Sequence, residues 1–334
     1  MKVIIPMAGR GSRLRPHTLT TPKPLLHVAG KPIVQRLVED IGAIYQGGIE
    51  EIAYIIGDFG KEAEENLIKV AESLGAKGTI YYQTEPLGTA HAIWQAKNSL
   101  EGEVIVAFAD TLFTADFTLD KDMDGAIWVK KVEDPRAYGV VTLDENGIIN
   151  AMVEKPQEFV SDLAIIGIYY FKEGKVLADE IQYLLDNNIK DKGEFQLTNA
   201  LENMKNKGAR FVPGEVNEWM DCGNKTMVLD TSAKVLQFEM DKGKNWVSDD
   251  VKLENALIIP PCFVGKNVKI TNSVVGPFVS LGDNCVIENA VIKNSAIREK
   301  SIVKNAVLSN AMIGTNASYT GHIESPDMGD FCRG

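Results

Sequence analysis

Residues 9 to 24 read GRGSRLRPHTLTTPKP, a glycine-rich turn that closely follows the apolar run Val3-Ile4-Ile5. Glycines after a strand reach φ > 0 without a Cβ penalty and let backbone N–H groups come close to a phosphate. Arg13 and Lys23 add the positive charge that a polyphosphate needs. The pattern fits neither of two common phosphate-binding loops. A dinucleotide fingerprint needs a third Gly or Ala three residues after the second, where this chain has Leu14. A Walker loop needs Gly-Lys-Ser/Thr after its first glycine and spacers, which is also absent. Dehydrogenase and P-loop readings fall on these grounds.

Two carboxylates have the right type for a hard metal ion. Asp110 closes the apolar stretch VIVAFAD (104–110), where a charge is costly unless it is solvated in a cleft or bound to something. Asp221 stands in Trp219-Met-Asp-Cys-Gly. Mg²⁺ is commonly held by one or two carboxylates plus substrate phosphates, a role that Asp110 suits, while Asp221 is unremarkable by itself. Cations and carboxylates of this kind suit phosphoryl-type transfer, where positioning and electrostatics supply nearly all of the catalysis. Cys222, Cys262, Cys285 and Cys332 are too few and too scattered for a disulfide framework or a zinc site. His17, His27 and His91 carry no metal spacing, and His91, which follows LGTA, reads as a packed or solvated ring.

The longer pattern G-x-G-[ST]-R-L-x-P followed by P-K-P resembles the signature of the sugar-1-phosphate nucleotidylyltransferases. LGTA (87–90), Asp110, EKP (154–156), IGIYYF (166–171) and WMDCG (219–223) accompany it, so the likeness spans nearly the whole chain. The resemblance implies a Mg²⁺-dependent reaction of an NTP with a sugar 1-phosphate, giving NDP-sugar and pyrophosphate. It implies that Ala8, Gly9, Gly11, Ser12 and Arg13 hold the nucleotide, with Gln83, Gly88 and Thr89 on the base side. By the same resemblance Arg13, Lys23 and Asp110 form the catalytic group, and Asp110 and Asp221 hold the Mg²⁺. Lys155 holds the sugar phosphate, Glu154 accepts from sugar hydroxyls, Gly139 and Gly167 let backbone reach the sugar, and Trp219 lines its site. GEFQLTNAL (193–201) resembles a segment that closes the sugar side. Ala109, Cys222, Asn224 and Ser12 depart from the commoner family residues, but none removes a charge or a metal ligand.

Gln83 bears on the base. In this family a Gln at this place resembles many uridylyl- and thymidylyltransferases, and a Glu many guanylyltransferases. Uracil and thymine present N3–H between two carbonyls, and a Gln amide is able to accept from the first and donate to a second. UTP or dTTP is therefore expected, with dTTP slightly ahead, and glucose 1-phosphate as the commonest family sugar. Mannose-1-phosphate guanylyl transfer is the alternative.

These residues need a scaffold that brings distant segments together. From residue 1 to about 241 apolar strands alternate with amphipathic helices, which implies a mainly parallel, Rossmann-like α/β sheet with its ligands at the carboxyl ends of the strands. The pattern then changes. Val264, Ile270, Val275, Leu281, Ile287, Ile292, Ile297, Ile302, Leu308 and Ile313 recur every five or six residues, and Asn-Ala or Asn-Ser pairs repeat between them. That is the mark of a hexapeptide-repeat parallel β-helix, left-handed by the resemblance, with Asn and Gly at its corners. The expected domains are 1–241 (nucleotidyltransferase), 249–318 (β-helix) and 319–334 (tail).

The net charge of −11 gives no overall field for nucleic acid or an anionic membrane, so the expected partners are the two small substrates and further copies of the chain. No apolar stretch approaches the ~20 residues of a membrane span. The N-terminus lacks a signal-peptide core, and a cytoplasmic protein is expected. Two other functional classes remain to be weighed. A hexapeptide acyltransferase needs a histidine base, and none occurs between His91 and His322. A non-catalytic NDP-sugar sensor would be expected to lose charged positions that are all present here.

Overall fold

The computed structural model describes residues 1–9, 11–45, 47–115 and 122–322; Arg10, Cys332 and all of the expected tail beyond His322 lie outside the described residues. The chain forms two compact units, Met1–Leu26 with Pro32–Gly223, and His27–Lys31 with Asn224–Gly334.

The first unit is built on a nine-stranded sheet. Its centre is four parallel strands in the order Val104–Ala107, Lys2–Pro6, Glu51–Ile56 and Lys77–Tyr82. Val3, Ile4, Ile5 and all four residues Val104 to Ala107 are fully buried, as unbroken apolar runs covered on both faces must be. Helix Ile33–Ile44 turns Ile33, Leu37 and Ile41 inward at helical spacing. Each such side chain contributes roughly 1.5–3 kcal/mol on burial. The sheet is mixed beyond this centre. Leu163–Phe171 runs antiparallel to Val104–Ala107 and also pairs with Gly125–Lys131, while Gly139–Leu143 and Ile149–Glu154 form an antiparallel edge.

Three site segments follow the carboxyl ends of central strands, as the sequence pattern implies. The glycine loop follows Lys2–Pro6, Gln83 follows Lys77–Tyr82, and Asp110 comes after Val104–Ala107. One detail differs. The strand stops at Ala107, and Asp110 sits in the turn leading to Thr111–Thr114.

The second unit is a parallel β-helix. Lys252 pairs with Lys269, Lys269 with Val286, Val286 with Ile302 and Ile302 with Ser318, so successive coils stack strand on strand. Val264, Ile270, Val275, Leu281, Ile287, Ile292 and Ile297 fill the core as expected. Ile302 does not: it is 38% exposed, and Val303 is buried instead. The cause is register, because the inward Ile287 pairs with Val303. Asn255, Asn272, Asn289 and Asn305 all adopt the left-handed conformation at one corner. Their side-chain amides donate down the stack at 2.9, 3.2 and 3.0 Å.

The boundary expected at 241 moves. Helix Lys225–Asp241 belongs with the β-helix, and so do residues 27–31. The Ser232 hydroxyl receives the Ala29 N–H at 3.3 Å and lies 3.3 Å from the Ser280 hydroxyl. A Cβ on Gly30 would fall 2.2 Å from the Phe263 ring. Polar and apolar packing thus tie the helix and the loop to the coils. Among the described residues, no helix is long and apolar enough to cross a membrane.

Candidate active site

The glycine loop, the Gln83 turn and the Asp110 turn open on one cleft of about 490 Å³. Ala8, Gly9, Gly11, Ser12, Arg13, Lys23, Gln83, Gly88, Thr89 and Asp110 all line it. The structure therefore brings together every expected nucleotide-side residue.

Gly11 has φ 65°, and a Cβ there would come within 2.7 Å of the Lys23 Cβ. The Gly11 carbonyl accepts from Leu14 N–H at 3.0 Å and from Thr18 Oγ1 at 2.8 Å. Among the described residues, the N–H groups of Gly11, Ser12 and Arg13 donate to no protein acceptor. The fixed turn thus offers a set of unused donors, the arrangement that binds phosphate oxygens. Arg13 is exposed and lines the same cleft.

Lys23 is buried, with its side chain only 10% exposed, and its Nζ lies 3.0 Å from Asp110 Oδ2. The ladder between Thr111–Thr114 and Glu218–Asp221 sets Asp221 opposite Thr111, and Cys222 N–H donates to the Asp110 carbonyl at 2.9 Å. Two carboxylates far apart in the chain become neighbours in this way. Burial raises the Asp221 carboxyl above the usual range, and the Asp110 charge adds to that; Lys23, the Gly223 N–H and Arg13 act in the opposite direction. A Cβ on Gly223 would lie 3.0 Å from Asp221 Oδ1, so glycine is what lets backbone sit against this carboxylate. Two neighbouring carboxylates, Asp221 partly desolvated and acted on by the Asp110 charge, fit a hard divalent cation whose remaining ligands come from phosphates.

The Gly88 turn is held by the GEFQLTNAL segment. Gly88 has φ 118°, and a Cβ would lie 2.4 Å from the Phe195 carbonyl oxygen. Phe195 N–H donates to the Leu87 carbonyl at 2.8 Å, and Ala90 N–H to the Phe195 carbonyl at 2.9 Å. Thr89 Oγ1 receives the Leu197 N–H at 2.9 Å. The sequence places this segment toward the sugar, whereas its hydrogen bonds clamp the Gly88 turn. Gly88→Ala is accordingly expected to cost about 1–3 kcal/mol in denaturant unfolding and to weaken nucleotide binding, through strain at positive φ plus a backbone clash. Unchanged stability and affinity would remove this account of the turn.

The expected sugar residues gather on the antiparallel strands beyond Val104–Ala107. Gly139 pairs with Glu154, and a Cβ on Gly139 would stand 3.0 Å from Glu154 Oε2. Lys155 takes φ 44°, a strained value for a lysine, with its Nζ 3.4 Å from Glu154 Oε1. The Gly167 carbonyl accepts from Phe108 N–H at 3.0 Å, and Phe108 lines the nucleotide cleft, so the two regions adjoin. Trp219 packs edge-on against Tyr138 with centroids 4.9 Å apart. Its indole Nε1 is buried and has no hydrogen-bond partner among the described residues.

Three residues of this region were not singled out in the sequence. Burial raises the Tyr138 hydroxyl, the Asp221 and Asp134 charges add to that, and the Arg13 charge opposes it. Glu194 and Phe108 line the cleft. Glu194 belongs to the GEFQLTNAL motif, which was the available signal; Tyr138 had only its place beside Gly139.

The family profile described as nucleotidyl transferase matches residues 2–237. The chain belongs to that family. It is therefore a nucleotidyltransferase. It is 30% identical over 319 residues to the low-salt glycan biosynthesis nucleotidyltransferase Agl11 of Haloferax volcanii, covering 89% of this chain and 87% of that protein. It is 29% identical over 359 residues to a glucose-1-phosphate thymidylyltransferase of Streptomyces antibioticus, covering 100% and 98%. The fold is similar to that of a UDP-glucose pyrophosphorylase solved with UDP-glucose, with a TM-score of 0.60 and 24% identity over 71% of this chain and 98% of that one.

Proposed function

We propose that this nucleotidyltransferase joins glucose 1-phosphate to the nucleotidyl group of dTTP or UTP, releasing pyrophosphate. The observation that carries the reading is the single cleft in which Lys23 and Asp110, with Asp221 beside them, face the glycine loop and Gln83. The full-length similarity to a thymidylyltransferase supports the base and the sugar.

In this reaction a phosphate oxygen of the sugar forms a bond to the α-phosphorus, and the bond from the α-phosphorus to the bridging oxygen of pyrophosphate breaks. The nucleophile needs no general base, because a phosphomonoester with a second pKa near ~6 is largely dianionic at pH 7. Bringing two anions together is the harder task. The N–H groups of Gly11, Ser12 and Arg13, the Arg13 guanidinium and the Lys23 ammonium face the triphosphate and neutralise the departing pyrophosphate. Lys155 sits beside Glu154 to hold the sugar phosphate, while Glu154 and the backbone at Gly139 and Gly167 orient the sugar. Asp110 and Asp221 would hold Mg²⁺, which when bound supplies further positive charge on the phosphates.

Gln83 selects the base. Its side chain lines the cleft beside Gly88. A panel of NTPs against sugar 1-phosphates, read by pyrophosphate release, tests the proposal: dTTP or UTP with glucose 1-phosphate is expected to give the highest kcat/KM. Gln83→Glu is expected to lower pyrimidine use by roughly 5- to 150-fold, the cost of one unpaired buried polar group. A wild-type preference for GTP with mannose 1-phosphate would refute the base and sugar assignments and leave nucleotidyl transfer standing.

A further inference from the structure

Gln83 does not reach the cleft as a free amide. Its Nε2 lies 3.2 Å from the Gly88 carbonyl and 3.1 Å from His91 Nδ1. Beyond the ring, Gln95 Nε2 stands 3.0 Å from His91 Nε2 and 3.4 Å from the His91 carbonyl. Which end of an amide faces which partner follows from the partners. The Gly88 carbonyl is only an acceptor, so the Gln83 atom facing it is the NH₂ group. That group has two hydrogens. With one on Gly88, the other points to His91 Nδ1, and Nδ1 must accept. A neutral imidazole that accepts at Nδ1 carries its proton on Nε2. The Gln95 NH₂ reaches the His91 carbonyl at 3.4 Å, longer than the 3.2 Å contact of Gln83 with the Gly88 carbonyl, so Gln95 is the amide that turns its oxygen toward the Nε2 proton. Both Gln83 hydrogens are then used within the protein, and Oε1 is the only hydrogen-bonding atom left for a base. Among the described residues no donor reaches it.

Resting on the reading of Gln83 given above, we propose that His91 is the positioning residue for base selection. By accepting from Gln83 at Nδ1 it holds Oε1 toward the cleft, so the site takes bases that present a single ring N–H. Uracil and thymine present that donor. Cytosine and adenine offer a ring nitrogen acceptor there and meet a carbonyl oxygen face to face. Guanine brings a second donor, its exocyclic amine, which one oxygen does not satisfy.

The arrangement holds only while His91 is neutral. Burial lowers the basicity of the ring, and the Glu85 charge and carbonyl, the charged neighbour on the adjoining turn, act in the opposite direction. The net shift is downward, which keeps the ring neutral at pH 7. Protonation makes both ring nitrogens donors. Nδ1–H then opposes the Gln83 NH₂, the amide turns, and the cleft sees a donor where it had an acceptor.

The test compares kcat/KM for UTP and CTP, or for dTTP and dCTP, with the sugar phosphate held constant. Triphosphate titration cancels in this ratio. In the wild type the preference for the uracil or thymine base is expected to fall as the pH is lowered below the ordinary histidine range. His91→Asn sets an oxygen near the place of Nδ1 without a titrating group, so its ratio is expected to stay high and pH-independent. His91→Phe keeps the ring and removes the acceptor, and its ratio is expected to fall about 3- to 10-fold at every pH, the worth of one hydrogen bond, mainly through KM. Two results would overturn the proposal: a His91→Phe ratio equal to that of the wild type, or the same pH dependence in the wild type and His91→Asn. A shifted ratio in Gln83→Glu without one in His91→Phe sinks the role of His91 alone. No shift in either removes the reading of Gln83 with it.

Discussion

Asp110→Asn and Asp221→Asn are each expected to cut turnover by about 10²–10³ or more while the protein remains folded. The loss follows from charge. Each variant keeps the size and a dipole of the side chain but halves the negative charge available to a divalent cation between the two. The pyrophosphate then leaves less well neutralised. The fold survives because the Asp110 backbone, not its carboxylate, holds the neighbouring segment: its carbonyl accepts the Cys222 N–H at 2.9 Å. The Asp110 side chain is 46% exposed, so its neutralisation leaves no deeply buried void. Initial rates with Mg²⁺ near its KM, together with far-UV circular dichroism, check both halves of the expectation. Near-wild-type rates in either variant would remove that residue from the metal site.

Lys23→Met is expected to lower kcat/KM by a comparable ~10²–10³, with much of the effect in the KM for the nucleotide. Lys23 combines two features seldom found together in a lysine. It is buried, and its ammonium both pairs with Asp110 and lines the nucleotide cleft. Met keeps the apolar stem that packs beneath Gly11, so the loss isolates the charge. Breaking a fully buried pair costs ~3–5 kcal/mol, but Asp110 is half exposed and screened. About 1–2 kcal/mol in urea unfolding is the expected cost in stability. Lys23→Arg is not expected to rescue activity, since the bulkier guanidinium must fit a side-chain position only 10% exposed. Activity within tenfold of the wild type in Lys23→Met would show that Arg13 and the loop N–H groups suffice for the triphosphate.

The two variants also separate two roles that meet at one ion pair. Loss at Asp110 should be partly offset by raising Mg²⁺, because the defect lies in holding the cation. Loss at Lys23 should not respond to Mg²⁺ in that way, because the missing charge belongs to the protein.

Much of the architecture is legible in the sequence because its causes are local. Val3-Ile4-Ile5 and Val104 to Ala107 are buried on both faces, which requires unbroken apolar runs. The spacing from Val264 to Ile297 follows from a core narrow enough for one side chain per corner. Gly11, Arg13 and Lys23 declare a phosphate loop through their order alone, since backbone freedom and positive charge must be close in the chain to act on one anion. Tertiary structure decided the rest. Asp110 and Asp221 become neighbours only through the register of Thr111–Thr114 on Glu218–Asp221. Val303 displaces Ile302 from the core because strand pairing, not spacing, sets which residue turns inward. Helix Lys225–Asp241 carries no mark of the unit it joins; hydrogen bonds at Ser232, which accepts from the Ala29 N–H, reveal it. His91 is the clearest case. In the sequence it is one ring on a short helix, and its part in base selection rests on which nitrogen faces Gln83, a matter of ångströms that no periodicity encodes. Sequence specifies what each residue is able to do over a few bonds, while hydrogen bonds and charges act over 3–4 Å in space, a distance that only the folded chain brings about.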